Sequence, residues 1–322
     1  MGSYILKRLV SAAVMLILVS ILIFGVLRLL PGDPTIAKLA GARGIDPQAV
    51  AELKRSLGLD RPLYWQYLRW MGGAAHGDFG KSYFSQYSVA ELISQRLGAT
   101  LELAVASLLV AVALALVLAV TPVIRDSAWL ARMVTGYTVF GLSAPPFLIG
   151  IAIQLLFGNW LGWLPHYTYV GLGDDPARNL RLLAAPALTL GVAVSAPLIN
   201  YLRASFHDVE GAAYVRTAYG SGVRRRRAVL AHIMPNALLP ALTAVGVSVG
   251  ALLGGVVQVE YVFGWPGLGS AIVSAVATRD YAVIQSMVLI VAAAYVLTNF
   301  AVDALYGVLD PRLRLATAKG AS

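Results

Sequence analysis

Apolar residues along this chain gather in long unbroken runs rather than in amphipathic stripes. Six runs are long enough to cross a bilayer as helices: Leu9–Leu30, Ala99–Val123, Met133–Phe157, Ala184–Tyr201, Asn236–Gln258 and Tyr281–Leu309. The first holds about 22 residues, roughly 33 Å of helix, which is longer than the apolar core of a signal peptide. Pro31-Gly32-Asp33-Pro34 follows it where a small-residue cleavage site would stand, so it reads as an uncleaved first span. The pattern predicts an all-α polytopic membrane protein with six transmembrane helices, a helical insertion after the first and a short helix between the fourth and fifth.

The polar intervals carry their own punctuation. In the long loop Pro31 to Gly98, Asp46-Pro47 predicts a helix start and Gly58 its left-handed end. Asp60 and Pro62 predict a second helix, carrying Tyr64, Trp65, Tyr67 and Trp70 as an interfacial aromatic belt. Ser88-Val89-Ala90-Glu91 has capping-box spacing and leads into the second span. Glu260 to Asp280 holds a Gly/Pro turn and then an apolar run too short to span. It is expected to be re-entrant or interfacial, packed over the outer mouth of a pathway. The expected organisation is a first helix over residues 1–30, an extracytoplasmic helical insertion over 31–94, a five-helix domain over 95–309 with its main loop at 202–235, and a tail over 310–322.

Charge sets the orientation. The chain has 322 residues, of which 58% are hydrophobic and 13% charged, with a mean hydropathy of +0.73. A soluble domain carries about 25% charged residues. Lys7 and Arg8, Arg125 and Arg132, Arg203, Arg216, Arg224 to Arg227, and Arg312, Arg314 and Lys319 all fall on one side of the predicted spans. That side is the cytoplasm by the positive-inside rule, which places both termini there; the opposite short loops hold only Arg178, Arg181 and Arg279. The net charge of +9 is therefore a membrane-topology signal. No aromatic interleaving in the basic run suggests base stacking, so nucleic acid is not an expected partner, whereas membrane lipid is. Cysteine is absent, which excludes disulfides and thiolate chemistry.

Catalytic motifs are mimicked rather than present. Gly80-Lys81-Ser82 resembles the end of a phosphate loop, but Ala75 stands where the first glycine belongs. Gly264, Gly267 and Gly269 miss a dinucleotide fingerprint. His76, His166, His207 and His232 lack metal-ligand spacing, so no metal site and no catalytic residue is predicted. The ionisable residues Arg28, Glu102 and Asp303 lie towards span ends, where a midplane proton relay would not be. Gly246, Gly250 and Gly254 recur every four residues and predict a close helix–helix contact or a pathway lining. Pro145-Pro146 predicts a kink or break in the third span.

The polar island Arg203 to Pro235 separates the fourth and fifth spans. Asp208 to Tyr219 is expected to form a helix with its acidic residues in the first turn, ended by Gly220 and Gly222, with a second helical stretch from Arg224 to near Met234. The arginines fix topology. Ala212, Ala213, Tyr214, Val215 and Ala218 are expected to form a docking knob for a partner outside the membrane.

With these residues the chain resembles the B-type transmembrane permease subunits of bacterial oligopeptide/dipeptide/nickel ABC importers. The family signature of Glu-Ala-Ala, Gly and Leu-Pro aligns with Arg216-Thr217-Ala218, Gly222 and Met234-Pro235, matching at Ala218, Gly222 and Pro235 and departing at Arg216. The resemblance is carried further by Leu30-Pro31-Gly32-Asp33-Pro34, by Leu57 to Leu63, and by Gly77-Asp78-Phe79-Gly80. Leu161 to Pro165, Val259-Glu260 with Phe263 and Trp265-Pro266-Gly267-Leu268-Gly269, and Asp310-Pro311-Arg312 complete it.

The resemblance implies a subunit that is not itself catalytic, set in the bacterial cytoplasmic membrane. It implies three kinds of protein partner: a homologous second permease, two ABC ATPase subunits that use ATP and Mg, and an extracytoplasmic solute-binding protein. This chain would hold no cofactor. The island's helix would be a cytoplasmic coupling helix touching an ATPase through Tyr214, Val215, Arg216, Thr217, Ala218, Gly222 and Pro235. The pathway or helix packing would use Gly246, Gly250, Gly254, Pro145 and Pro146. Glu260, Phe263, Trp265, Pro266, Gly267 and Asp280 would form an outer gate or a binding-protein contact. Peptide is the expected cargo. Nickel is the alternative within the family, and a proton-coupled peptide carrier or a non-transporting assembly factor are the alternatives outside it.

Overall fold

A computed structural model of the protein describes residues 2–29, 47–85, 87–163 and 169–309. The described residues are helical throughout, apart from turns and one isolated bridge between Lys81 and Ser88. In chain order the helices are α1 (Gly2–Leu29), α2 (Pro47–Ser56), α3 (Leu63–Ala75), α4 (Val89–Arg125), α5 (Ala128–Ser143) and α6 (Pro146–Ile153), which continues as a π-helical turn to Trp160. There follow α7 (Pro176–Glu210), α8 (Ala213–Gly220), α9 (Arg225–Ala228), α10 (Met234–Phe263), α11 (Leu268–Thr278) and α12 (Tyr281–Leu309). Five of these are long and apolar enough to cross a membrane, and α5 with α6 makes a sixth crossing if the bent pair is one span. The protein is an all-α polytopic membrane protein.

The predicted runs fall on α1, α4, α5–α6, α7, α10 and α12. Pro145 and Pro146 do break the third: the two halves meet at 109°. Neither proline can donate a backbone hydrogen bond, and Pro146 sits instead in the first turn of α6, where no donor is missed. Asp175 caps α7, accepting from Arg178 N at 3.1 Å, and Pro176 follows it. The motifs at Leu30 to Pro34, Leu164-Pro165 and Asp310 to Arg312, with Asp46, His166, the Asp303 side chain and the tail 310–322, lie outside the described residues.

The chain forms two compact units, Met1–Thr100 with Pro266–Phe300, and Leu101–Trp265 with Ala301–Ser322. In the first unit, α1 keeps most of its apolar side chains exposed but turns Ser20, Phe24 and Leu27 inward. Phe24 packs on Tyr67 and Trp70 at ring distances of 5.5 and 6.4 Å, and the Ser20 and Tyr67 hydroxyls share a hydrogen bond of 2.8 Å. The expected aromatic belt is thus divided. Tyr64 and Trp65 are exposed, whereas Tyr67 and Trp70 secure α3 to the first span. Gly58 takes the left-handed conformation expected of it, at φ 68°.

Asp280 anchors the same unit. It is buried and accepts from Ser82 Oγ at 2.6 Å, from Tyr83 N at 3.2 Å and from Val283 N at 3.4 Å. The phosphate-loop mimic therefore spends its serine on a helix cap. Burial pushes the Tyr83 phenol above its ordinary pKa, with Arg28 beside it pulling the other way. The Arg28 guanidinium lies over the Phe24 and Tyr281 rings at 5.0 and 5.6 Å, which accounts for a charge at that depth.

The second unit is held by close approach of small residues. A Cβ on Gly191 would lie 2.5 Å from Val110, and one on Gly141 would lie 2.8 Å from the Ala196 Cβ. These glycines let α7 approach α4 and α5 closely. At the contact of α7 with α10 the glycine used is Gly255, whose Cβ would meet Leu190 at 2.6 Å, whereas at Gly254 the space is open. The predicted stripe of Gly246, Gly250 and Gly254 runs from buried to exposed along α10. Of the two adjacent glycines at the end of the stripe, Gly255 makes the close contact and Gly254 does not.

Candidate functional site

The loop between the fourth and fifth spans is described throughout as helix and turn, and its geometry differs from the expected one at both ends. Asp208 and Glu210 do not open a new helix. They end α7, which runs on to Glu210 because residues 202–210 contain no Gly or Pro and bury Leu202, Ser205 and Phe206. Gly211 and Ala212 make the break, and α8 begins at Ala213. Gly222, at φ 78°, turns the chain after α8; Gly220 is simply its last residue. The following stretch does not stop near Met234. It passes through α9 and a π-helical turn, Val229–Ile233, directly into α10, with Pro235 in the first turn of α10.

The short helix α8 has two faces. Val215 is fully buried, with Ala218 and Tyr219 half-buried beside that face, and α8 packs against α7 and α9. Val215 therefore holds the helix to its own chain and is not a surface contact. The outer face is made by Ala213, Tyr214, Arg216 and Thr217, and Pro235 is also exposed. Tyr214 places a large ring there that is 47% exposed. Beneath the loop, Ala228, Val229, Ile233 and Ala237 are fully buried. Ser205 Oγ donates to the Ala237 carbonyl at 2.9 Å, tying the end of α7 to the start of α10.

Three of the four consecutive arginines point to solvent. The fourth, Arg225, turns inward. Its Nε donates to the Val123 carbonyl at 2.6 Å, and its Nη2 stands 3.2 Å from Asp126 and 3.6 Å from Glu210. Val123 belongs to the last turn of α4, where carbonyls lack helical partners. Read as a bare charge run, this sequence gives no sign of which arginine is fixed.

The residues expected to form an outer gate or a binding-protein contact divide between the two units. In one, Gln154 Nε2 donates to the Val262 carbonyl at 2.9 Å, and half-buried Phe263 packs by Gly150. Gly264 ends α10 at φ 64°, and Trp265 is buried edge-on against Tyr169 at 4.8 Å. The Tyr169 hydroxyl donates to Glu102 Oε2 at 3.0 Å. Desolvation, and then this bond, push the phenol up to about 12, so it remains a donor at any ordinary pH. Glu102 thus has a local partner. In the other unit, Pro266 is half-buried, Gly267 is buried, and Leu268 N donates to Thr100 Oγ1 at 2.8 Å.

Glu260 and Asp280 are 0% and 3% exposed, so neither presents a carboxylate to a soluble protein. Of the six residues expected to form a gate or a binding-protein contact, the two charged ones are buried within the fold. Sequence reasoning missed Ser82, Tyr169 and Arg225. The first was hidden in a false phosphate loop, the second in a loop without a motif, and the third among identical neighbours.

Known proteins match this sequence along nearly the whole chain. Residues 111–315 match the family described as the binding-protein-dependent transport system inner membrane component. Residues 1–104 match the family of N-terminal membrane components of such systems. The glutathione transport system permease protein GsiC of Escherichia coli (strain K12) is 38% identical over 314 residues, which cover 98% of this chain and 99% of the relative. Proteins of the same name from Shigella dysenteriae serotype 1 (strain Sd197) and Salmonella paratyphi A (strain ATCC 9150 / SARB42) have the same identity and coverage. The chain belongs to the inner-membrane components of binding-protein-dependent transport systems, as a type I permease subunit of the peptide/nickel ABC-importer family.

Proposed function

We propose that this permease carries small peptides inward, and that α8 is its contact with an ATPase subunit. The observation that carries the docking reading is the two-faced α8. Its buried Val215 fixes the helix, and its outer face offers Tyr214, Arg216 and Thr217. A helix presented in this way fits a groove in a partner. The peptide reading is supported by relatives named for transport of glutathione, itself a tripeptide, at 38% identity over nearly the full chain.

In this reading α8 faces the cytoplasm, both termini lie there, and two ATPase subunits hydrolyse ATP with Mg. This chain holds no cofactor and catalyses no reaction. A homologous second permease completes the pathway, and the incompletely covered Gly250 and Gly254 on α10 are available to it. An extracytoplasmic binding protein delivers the cargo. Uptake by cells expressing the complete importer, compared for dipeptides, longer peptides, glutathione and nickel, tests the cargo. Competition by peptides and indifference to nickel is the expected result. Nickel uptake that peptides do not inhibit would replace the peptide reading with the nickel one.

A further inference from the structure

We infer that Arg225 is a positioning residue that yokes the coupling segment to the turn between the second and third spans. One guanidinium holds three chain ends together: the last turn of α4 through Val123, the following turn through Asp126, and the end of α7 through Glu210, at 2.6, 3.2 and 3.6 Å. It stands three residues beyond Gly222, at the start of the helical stretch that runs unbroken into α10. A displacement of α8 therefore reaches α4 and α5 through this side chain as well as through the backbone.

The chemistry suits arginine. Its planar fork offers donors in several directions at once, which a lysine ammonium does not reproduce. The bond to Val123 is short, charge-assisted and placed at the negative end of a helix dipole. The two carboxylate contacts are partly exposed and individually weak, so they steer the guanidinium rather than hold it alone. Asp126 itself sits at φ 49°, a left-handed conformation uncommon outside glycine, in the turn that Arg225 contacts. A positive-inside signal requires only charge in this loop; it does not require a guanidinium fixed on a carbonyl.

This inference rests on the reading of α8 as the ATPase contact. Its test uses the complete importer in liposomes, with ATP hydrolysis and cargo uptake measured on the same preparation. Arg225→Ala is expected to keep ATP hydrolysis while cargo moved per ATP falls about tenfold, with Arg225→Lys intermediate. Unchanged cargo per ATP, or hydrolysis and uptake falling in proportion, overturns the yoke. Should Arg225→Ala fail to assemble, the double variant Asp126→Asn with Glu210→Gln, which removes both steering charges, decides by the same ratio: a fall supports the yoke and no change overturns it. Gly222→Leu is measured beside them. If it is uncoupled while the Arg225 and double variants are normal, only the yoke fails. If all are coupled normally, the docking reading fails with it.

Discussion

At the residue scale, several side chains read as chemistry are spent on structure. Asp280 caps α12 and holds Ser82, and Glu102 accepts from Tyr169. The glycines show the same economy. Gly191 has Val110 within 2.5 Å of where its Cβ would be, so Gly191→Val must push α4 and α7 apart. Overpacking of this kind costs about 1–3 kcal/mol. Thermal unfolding of the purified variant in detergent should show a clearly lowered midpoint, whereas Gly254→Ala, with open space at its Cβ, should leave the midpoint nearly unchanged. The stripe of Gly246, Gly250 and Gly254 was legible as a pattern. That Gly255 rather than its neighbour Gly254 meets Leu190 was not, because only the rotation of α10 against Leu190 decides it.

At the element scale, the spans were legible because lipid demands long apolar runs whose backbone bonds close internally. The Pro145-Pro146 break was legible for a reason just as local, the loss of backbone donors. The ends of the loop helix were not. Asp208 and Glu210 look like a helix start by charge, yet α7 continues through them because nothing in 202–210 breaks it. Val215 looked like part of a docking knob, and its burial depends on how α8 sits against α7 and α9, which residue type alone does not fix. Gly222 was legible, and for the right reason. Its φ of 78° is open to glycine and strained for other residues, while no atom lies within 4 Å of its Cβ position. Gly222→Ala should thus cost about 1 kcal/mol of local strain without a clash. It should reorient α8 and lower uptake per ATP, and Gly222→Asn, which tolerates the same conformation better, should recover part of the loss. Equal defects in the two variants would point away from the backbone angle.

At the scale of the whole molecule, composition and topology established a membrane protein with a polar segment between its fourth and fifth spans, and motifs outside that segment carried the family. Cargo was not legible, since no cluster in this chain selects a peptide over nickel. The protein's lack of cysteine makes its sidedness easy to test. A single cysteine in place of exposed Arg226, outside the proposed ATPase contact, should react with an impermeant thiol reagent in inside-out vesicles and not in intact cells. Reaction from outside would reverse the assigned orientation, and with it the ATPase contact.

The central claim is that this chain transports only as part of an ATP-driven importer, with peptide as cargo. It is tested most directly by peptide accumulation in liposomes, comparing this protein alone under an imposed proton gradient with the complete importer supplied with ATP on the ATPase side and binding protein on the other. The account predicts accumulation in the second case, abolished when ATP is withheld, and none in the first. Accumulation by this protein alone, driven by the proton gradient, would contradict it.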